Sequence, residues 1–292
     1  MNKATNKIIN YQFWEEKPTL ADIKKCIQEG ADLTQLVHTE YGYTYPLAFY
    51  AAIHLPDAIP LMVKAGMDVN QPSPEGTAVQ LASYSSKVSP LGMQRLLENG
   101  ADIKVKTANA GLGCPNPEGQ EILDELSQRT GFSLPSYTGI SCVGWAIIEG
   151  VNMCDNPDYK DAEEQRQKVE MLFKAGIHPD APAYNGEPPI FHTTCCGYEK
   201  ATQMILNCGG NINVRSISGD TVLTKMGKRI AKEYSYEWYN DYGLMDNDQI
   251  NCAQARRYMG KLHLLISKGA SLNLPDGEGL SFEDGPASQI PF

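Results

Sequence analysis

Long apolar runs are missing from this sequence. Nothing in its 292 residues approaches the roughly 18 to 20 consecutive apolar positions that a membrane-spanning helix needs. No secretory leader is expected: the opening stretch MNKATNKIINYQFWEE has two lysines but neither an apolar h-region nor a small-residue cleavage site. Positive charge is short. A net charge of −10 excludes the broad basic face that neutralises nucleic-acid phosphates. Cysteine is sparse: eight in a chain of this length is no disulfide framework, and without an export signal reduced thiols in a cytoplasm are expected. The acidity fits a basic or mixed-charge protein partner, and no membrane or nucleic-acid partner is expected.

What the sequence does have is a repeat. A short apolar helix, a glycine, a small or polar pair and an aliphatic recur as IQEGADL, VKAGMDVN, LENGADI, FKAGIHPD, LNCGGNIN and ISKGASLN. The glycines are Gly30, Gly66, Gly100, Gly176, Gly209 and Gly269, separated by 36, 34, 76, 33 and 60 residues. Three intervals lie near 33, and the two long ones correspond to one repeat plus insertions of roughly 43 and 27 residues. A glycine just past an apolar helix is the expected left-handed C′ residue.

Start signals recur as well. Thr77 and Thr221 stand as N-caps before apolar runs, Ser141 takes the same place, and Pro46 and Pro188-Pro189 fall at the first turn of a helix. Start signal, two helices, glycine and a hairpin-like D-x-N tail together resemble the ankyrin repeat, whose core string is G-x-T-P-L-H-x-A. The full T-P-L-H occurs nowhere, and its histidine position holds Ala48, Gln80, Gly144, Phe191 or Thr224. The resemblance covers about residues 13–282. It implies an all-α ankyrin-repeat solenoid of about six stacked helix-turn-helix units, and a non-enzymatic scaffold that binds a protein through loop tips and concave face.

The units read as about 13–36, 41–70, 75–103, 138–180, 185–213 and 218–273 of a single 1–292 domain, with a cap or tail at 276–292 that opens like a seventh unit. Insertions in solenoids fall in loops and often mark the binding face. The 104–137 insertion contains Gly111, Gly113 and Cys114, without the strand, helix and lysine of a phosphate loop. The run DAEEQRQK (161–168) reads as a solvated helix face. In the last insertion Tyr234, Tyr236, Trp238, Tyr239 and Tyr242 alternate with acidic residues. Tyr41, Tyr43, Tyr45, Tyr137 and Tyr184 fall at the turn tips that face partners in this family. Tyr and Trp supply large rigid contact area, so these ten residues are the expected partner-binding set, with some rings serving instead to pack neighbouring elements.

Catalytic and metal chemistry are not expected. His178, His192, Cys195 and Cys196 match no structural zinc spacing, and no orienting third group accompanies a His192–Cys195 pair. Neither cofactor nor metal is expected, and the unbound chain is expected to be a monomer. The competing reading is an enzyme or delivered effector with a site built on the insertions near Cys114 or His192–Cys195. The binding reading leaves open an inhibitor, an adaptor or a toxin-neutralising protein.

Overall fold

A computed structural model describes residues 1–104, 144, 146–147, 160–181, 187–195, 199–216, 218–235 and 260–282. They fall into two compact units, one built from residues 1–177 and 183–185, the other from 178–182 and 186–292.

The first unit opens with α1 (Lys3–Ile8), α2 (Tyr11–Glu15) and α3 (Leu20–Gln28). Helix α1 lies ahead of the stretch read as the first repeat. Asn2 and Asn10 cap α1 and α2, and Thr19 with Asp22 forms a capping box on α3. Strands β1 (Leu36–His38) and β2 (Thr44–Pro46) then pair antiparallel, Val37 opposite Tyr45. Next come α4 (Leu47–His54), a single 3₁₀ turn, α5 (Ile59–Lys64), α6 (Ala78–Tyr84), α7 (Pro90–Glu98) and, beyond residues not described, α8 (Lys160–Lys174). Pro46 is the N-cap of α4 rather than its first residue: its ψ of 142° keeps it in the strand. Leu47 to Ala52 are all buried, because α4 is wrapped by the hairpin, α2, α6 and α7 and shows no polar face.

All six repeat glycines adopt the left-handed conformation, with φ between 78° and 109°. Each closes a Schellman motif. At Gly66, for instance, its own N–H donates to the Val63 carbonyl (3.0 Å) and the Met67 N–H to that of Met62 (2.9 Å). Two residues past the glycine a side chain then caps the turn: Asp32, Asp68, Asp102, His178 and Asn211 each accept from the backbone N–H two positions on.

The next unit is fastened at this turn. Asn70 donates to the carbonyl of Gly100 (2.9 Å) and accepts from the Asp102 N–H (2.7 Å). Asn213 does the same to Gly269 (3.3 Å) and Ser271 (2.8 Å). Asp180, a carboxylate with nothing to donate, accepts from the Asn211 N–H (2.8 Å). At the start of the chain Asn2 donates to the Gly30 carbonyl (2.7 Å), and Thr5 accepts from the Asp32 N–H (2.9 Å). Helix α1 therefore occupies the place of a preceding repeat.

The two threonine start signals hold. Thr77 caps α6 with Gln80 as its reciprocal partner, so the residue at the histidine position takes over the capping-box bond. Thr221 and Thr224 exchange the same pair of bonds at 2.9 and 3.1 Å. The Ser141 signal lies outside the described residues.

The charge run 161–168 departs from the solvated face expected of it. Gln165 and Lys168 are buried, in line with Val169, Leu172 and Phe173 at helical spacing. The cause is the C-terminal end of α6, whose last carbonyls lack intrahelical partners. Lys168 Nζ donates to Ala82 O (3.2 Å) and Ser85 O (2.7 Å), and Gln165 Nε2 to Tyr84 O (3.4 Å). A helix C-terminus also favours positive charge.

The second unit comprises α9 (Pro189–Cys195), α10 (Glu199–Asn207), α11 (Val222–Ser235) and a helical stretch over residues 260–267. Its core includes Ile190, Phe191, Ile205, Leu223, Met226 and Leu265. Residues 276–280 form a turn closed like that at 216–220. Asp276 N–H donates to Leu280 O (2.7 Å), Gly279 is left-handed, and Phe282 is buried. This tip lies so close to the preceding one that a Cβ on Gly277 would sit 1.8 Å from Ser218 O. Ionic clamps join the two. Lys228 reaches Asp220 (3.0 Å) and the buried Asp276 (2.7 Å), while Arg215 donates to Gly219 O (2.7 Å) and Pro275 O (2.5 Å).

Two outcomes test these assignments. Replacing Lys168 by Met removes the lysine donor from the buried Ala82 carbonyl, and urea denaturation of K168M is expected to show a loss of about 1–3 kcal/mol. A solvated lysine would give under about 0.5 kcal/mol. For Asp276, burial pushes the carboxyl up, but the Lys228 ammonium and the N–H groups of Leu280 and Glu278 outweigh it, so the net shift is downward. A depressed carboxylate stabilises the fold above its unfolded value, about pH 3.9, and loses that contribution as pH falls through the folded value. Between about pH 5 and pH 2, D276N is expected to lose less stability than the parent, measured by urea unfolding at each pH.

Candidate partner-binding surface

The hairpin tip of the first unit presents two of the expected tyrosines to solvent. Thr39 N–H donates to Tyr43 O (2.9 Å), Gly42 N–H to Thr39 O (3.2 Å), and Gly42 takes φ 83° to close the loop. Tyr41 is 79% and Tyr43 54% exposed, which sets them apart from the rings buried in the helices beneath. Tyr45 is half-buried and acts as support.

An aromatic stack continues inward from the tip. Tyr43 and Tyr45 have ring centroids 6.2 Å apart, and Tyr45 packs on Phe49 (5.3 Å) and edge-on to Tyr50 (6.1 Å). Tyr50 stacks on His54 (6.0 Å, 11° between planes), and both approach the buried Trp14. Trp14 Nε1 donates to Ile8 O (2.8 Å), so the deepest ring leaves no polar atom unsatisfied. Burial pushes the Tyr50 hydroxyl up to about 12 and depresses His54, which Glu15 at 3.9 Å only partly offsets. The Val37, Tyr45, Phe49 and Tyr50 layer thus anchors the tip in the core.

Carboxylates flank the exposed rings. Glu75, from the next loop, accepts the Thr44 N–H (2.9 Å) and so sits beside the peptide that joins Tyr43 to Thr44. Glu40 is exposed on the tip, and hydrogen bonding to it raises the hydroxyls of Tyr11 and Tyr41. Sequence reading missed both acids. The tyrosine spacing pointed to the tip, but nothing local showed that residue 75 would meet residue 44.

The other expected residues are placed as follows. Tyr137, Tyr184, Tyr236, Trp238, Tyr239 and Tyr242 lie outside the described residues, as do Cys114 and Cys196, while Tyr234 falls in the last turn of α11. His178 is engaged in its turn through Nδ1, His192 is half-buried on α9, and Cys195 ends that helix. Among the described residues no group of three or more His, Cys, Asp or Glu is placed to hold a metal ion. No described helix is long and apolar enough to cross a membrane.

No protein-family profile matches the chain, and no curated protein matches it. Solved structures do. The crystal structure of the ankyrin repeat domain of Bcl-3, a unique member of the IkappaB protein family, is 17% identical and aligns over all of this chain and 95% of that one, with a TM-score of 0.57. A crystal structure of EF0377, an ankyrin repeat protein, is 15% identical over 82% of this chain and 92% of that one, with a TM-score of 0.46, too low to carry an argument. Left-handed glycines at the repeat spacing, capped turns and paired tips agree with the first of these likenesses: the chain has the ankyrin-repeat fold.

Proposed function

We propose that this chain works by binding a protein, and that the hairpin tip at residues 39–45 is part of the surface that grips it. The observation that carries this reading is the pair of exposed rings, Tyr41 and Tyr43, held on a hydrogen-bonded loop and backed by Tyr45, Phe49 and Tyr50. A buried position would have satisfied the hydrophobic preference of these rings. Held in water on a rigid support, they lose little side-chain entropy when a partner covers them. Tyr45 contributes chiefly from beneath.

Tyr137, Tyr184, Tyr234, Tyr236, Trp238, Tyr239 and Tyr242 extend this proposal to other tips and to the last insertion. The role is that of an inhibitor, adaptor or toxin-neutralising protein acting in the cytoplasm, monomeric until it meets its partner, with no chemistry of its own. The competing enzyme reading, at Cys114 or His192–Cys195, has no comparable support among the described residues.

The Tyr41→Ala/Tyr43→Ala double variant decides the assignment. Binding to the protein that co-purifies with the tagged chain is expected to weaken by at least roughly 10-fold, as for loss of central aromatic anchors. Its melting temperature is expected to stay within about 2 °C, since both rings are exposed. An unchanged affinity would remove the tip from the interface.

A further inference from the structure

Charge is distributed unevenly around the tip. From Cys26 to Val63, and again from Ala65 to Ser86, there is no lysine or arginine. Both loops that build the tip fall in these stretches. Glu40, exposed on the tip, and Glu75, half-buried beside the Tyr43–Thr44 peptide, have no cation from their own loops, and among the described residues neither has an ion-pair partner. Elsewhere the chain pairs rings with its own ammonium groups. Lys7 lies over Phe13 (4.9 Å to the ring centroid) and Lys225 over Phe191 (5.4 Å), and Lys225 also meets the carboxylate of Glu187. Ring, carboxylate and cation are thus complete inside the second unit. At the tip, ring and carboxylate are present, and among the described residues no lysine or arginine is paired with either.

We propose that the missing cation comes from the partner: the tip receives an arginine-bearing segment, whose guanidinium lies on the Tyr43 ring and is held by the carboxylate of Glu75. This rests on the reading of the tip as a protein-binding surface and specifies its chemistry. Arginine fits better than lysine because a planar guanidinium stacks on an aromatic ring while its N–H fork meets a carboxylate side-on. The tip is also set up in advance. The Thr44 N–H fixes one oxygen of Glu75, and the Thr39–Tyr43 bond with left-handed Gly42 fixes the loop. Binding then orders the incoming arginine and little else. An acidic segment or a phosphate-rich surface would meet two carboxylates and no counter-charge.

The test selects a random-peptide display library on the full chain, with the Tyr41→Ala/Tyr43→Ala variant as counter-selection. Peptides that need the tyrosines are expected to be rich in arginine. Titrated as synthetic peptides, they are expected to lose roughly 10-fold in affinity when the arginine is replaced by citrulline, its uncharged near-isostere. Replacing it by lysine should also weaken binding. Tyr43→Phe, which keeps the ring, should bind nearly as the parent does, whereas Tyr43→Ala should lose roughly 3- to 30-fold. Glu75→Gln keeps an oxygen for the Thr44 N–H but removes the charge, and is expected to weaken binding by at least roughly 3-fold. Affinity should also fall as salt rises from about 50 to about 300 mM.

Tyrosine-dependent peptides that lack arginine, or that bind equally well with citrulline or lysine, overturn the guanidinium inference and leave the tip as a binding surface. Peptides that bind the double variant as tightly as the parent overturn the tip itself. A selection that yields no tip-dependent peptide counts against both.

Discussion

Each repeat ends on a glycine turn whose carbonyl and outgoing N–H groups cannot be satisfied within the helix they follow. Everything else in the array depends on how those groups are met. An amide side chain from the preceding unit meets two of them at once, as Asn70 does for Gly100 and Asp102. The bond pair fixes the distance and rotation between neighbours, and the apolar helices then pack in a defined register. A solenoid has no single centre to organise it, so register has to be set at each joint. Asn2 and Thr5 meet the same groups at the Gly30 turn from helix α1.

The exposed hairpin tip follows from that register. Glu75 reaches Thr44 only because successive loops are held side by side, and Gly277 fits under Ser218 for the same reason. Tips fixed in this way can carry rings that face water, since the backbone beneath them has no need of those rings for stability. In the first unit the inner half of the aromatic stack, from Tyr45 to Trp14, provides anchorage, and the outer half faces solvent. In the second unit the corresponding loops are tied to each other by Lys228 and Arg215, so their charge is spent internally.

Much of this was legible in the sequence, and for physical reasons. The six glycines could be read because left-handed backbone after an apolar helix has few other solutions. Thr77 and Thr221 could be read because capping demands a short hydroxyl side chain. The exposed tyrosines were suggested by three in five residues, although Tyr45 turned out to support the other two. The cross-unit bonds were less accessible. Asn70 and Asn213 look like ordinary turn residues until their partners some 32 and 58 positions away are known. Gly92 gave no signal at all, yet a Cβ there would lie 2.3 Å from the carbonyl of Ala52, so α7 meets α4 backbone to backbone. Lys168 was misread although the signal existed: the stripe Val169, Leu172, Phe173, carried back one turn, falls on Gln165 and Lys168. Charge along the sequence outweighed the periodicity that should have decided it.

Lys168 has a consequence for how such an array changes over time. Repeat proteins are often treated as interchangeable bricks, to be deleted, duplicated or shuffled whole. A brick that carries this lysine fits only beneath a neighbour whose inner helix ends with its carbonyls aimed at the same spot, as Ala82 and Ser85 do. Set beside a neighbour without those carbonyls, it would lose both of these acceptors. The joint between α6 and α8 is therefore keyed, so recombination at this boundary must carry both halves together or neither.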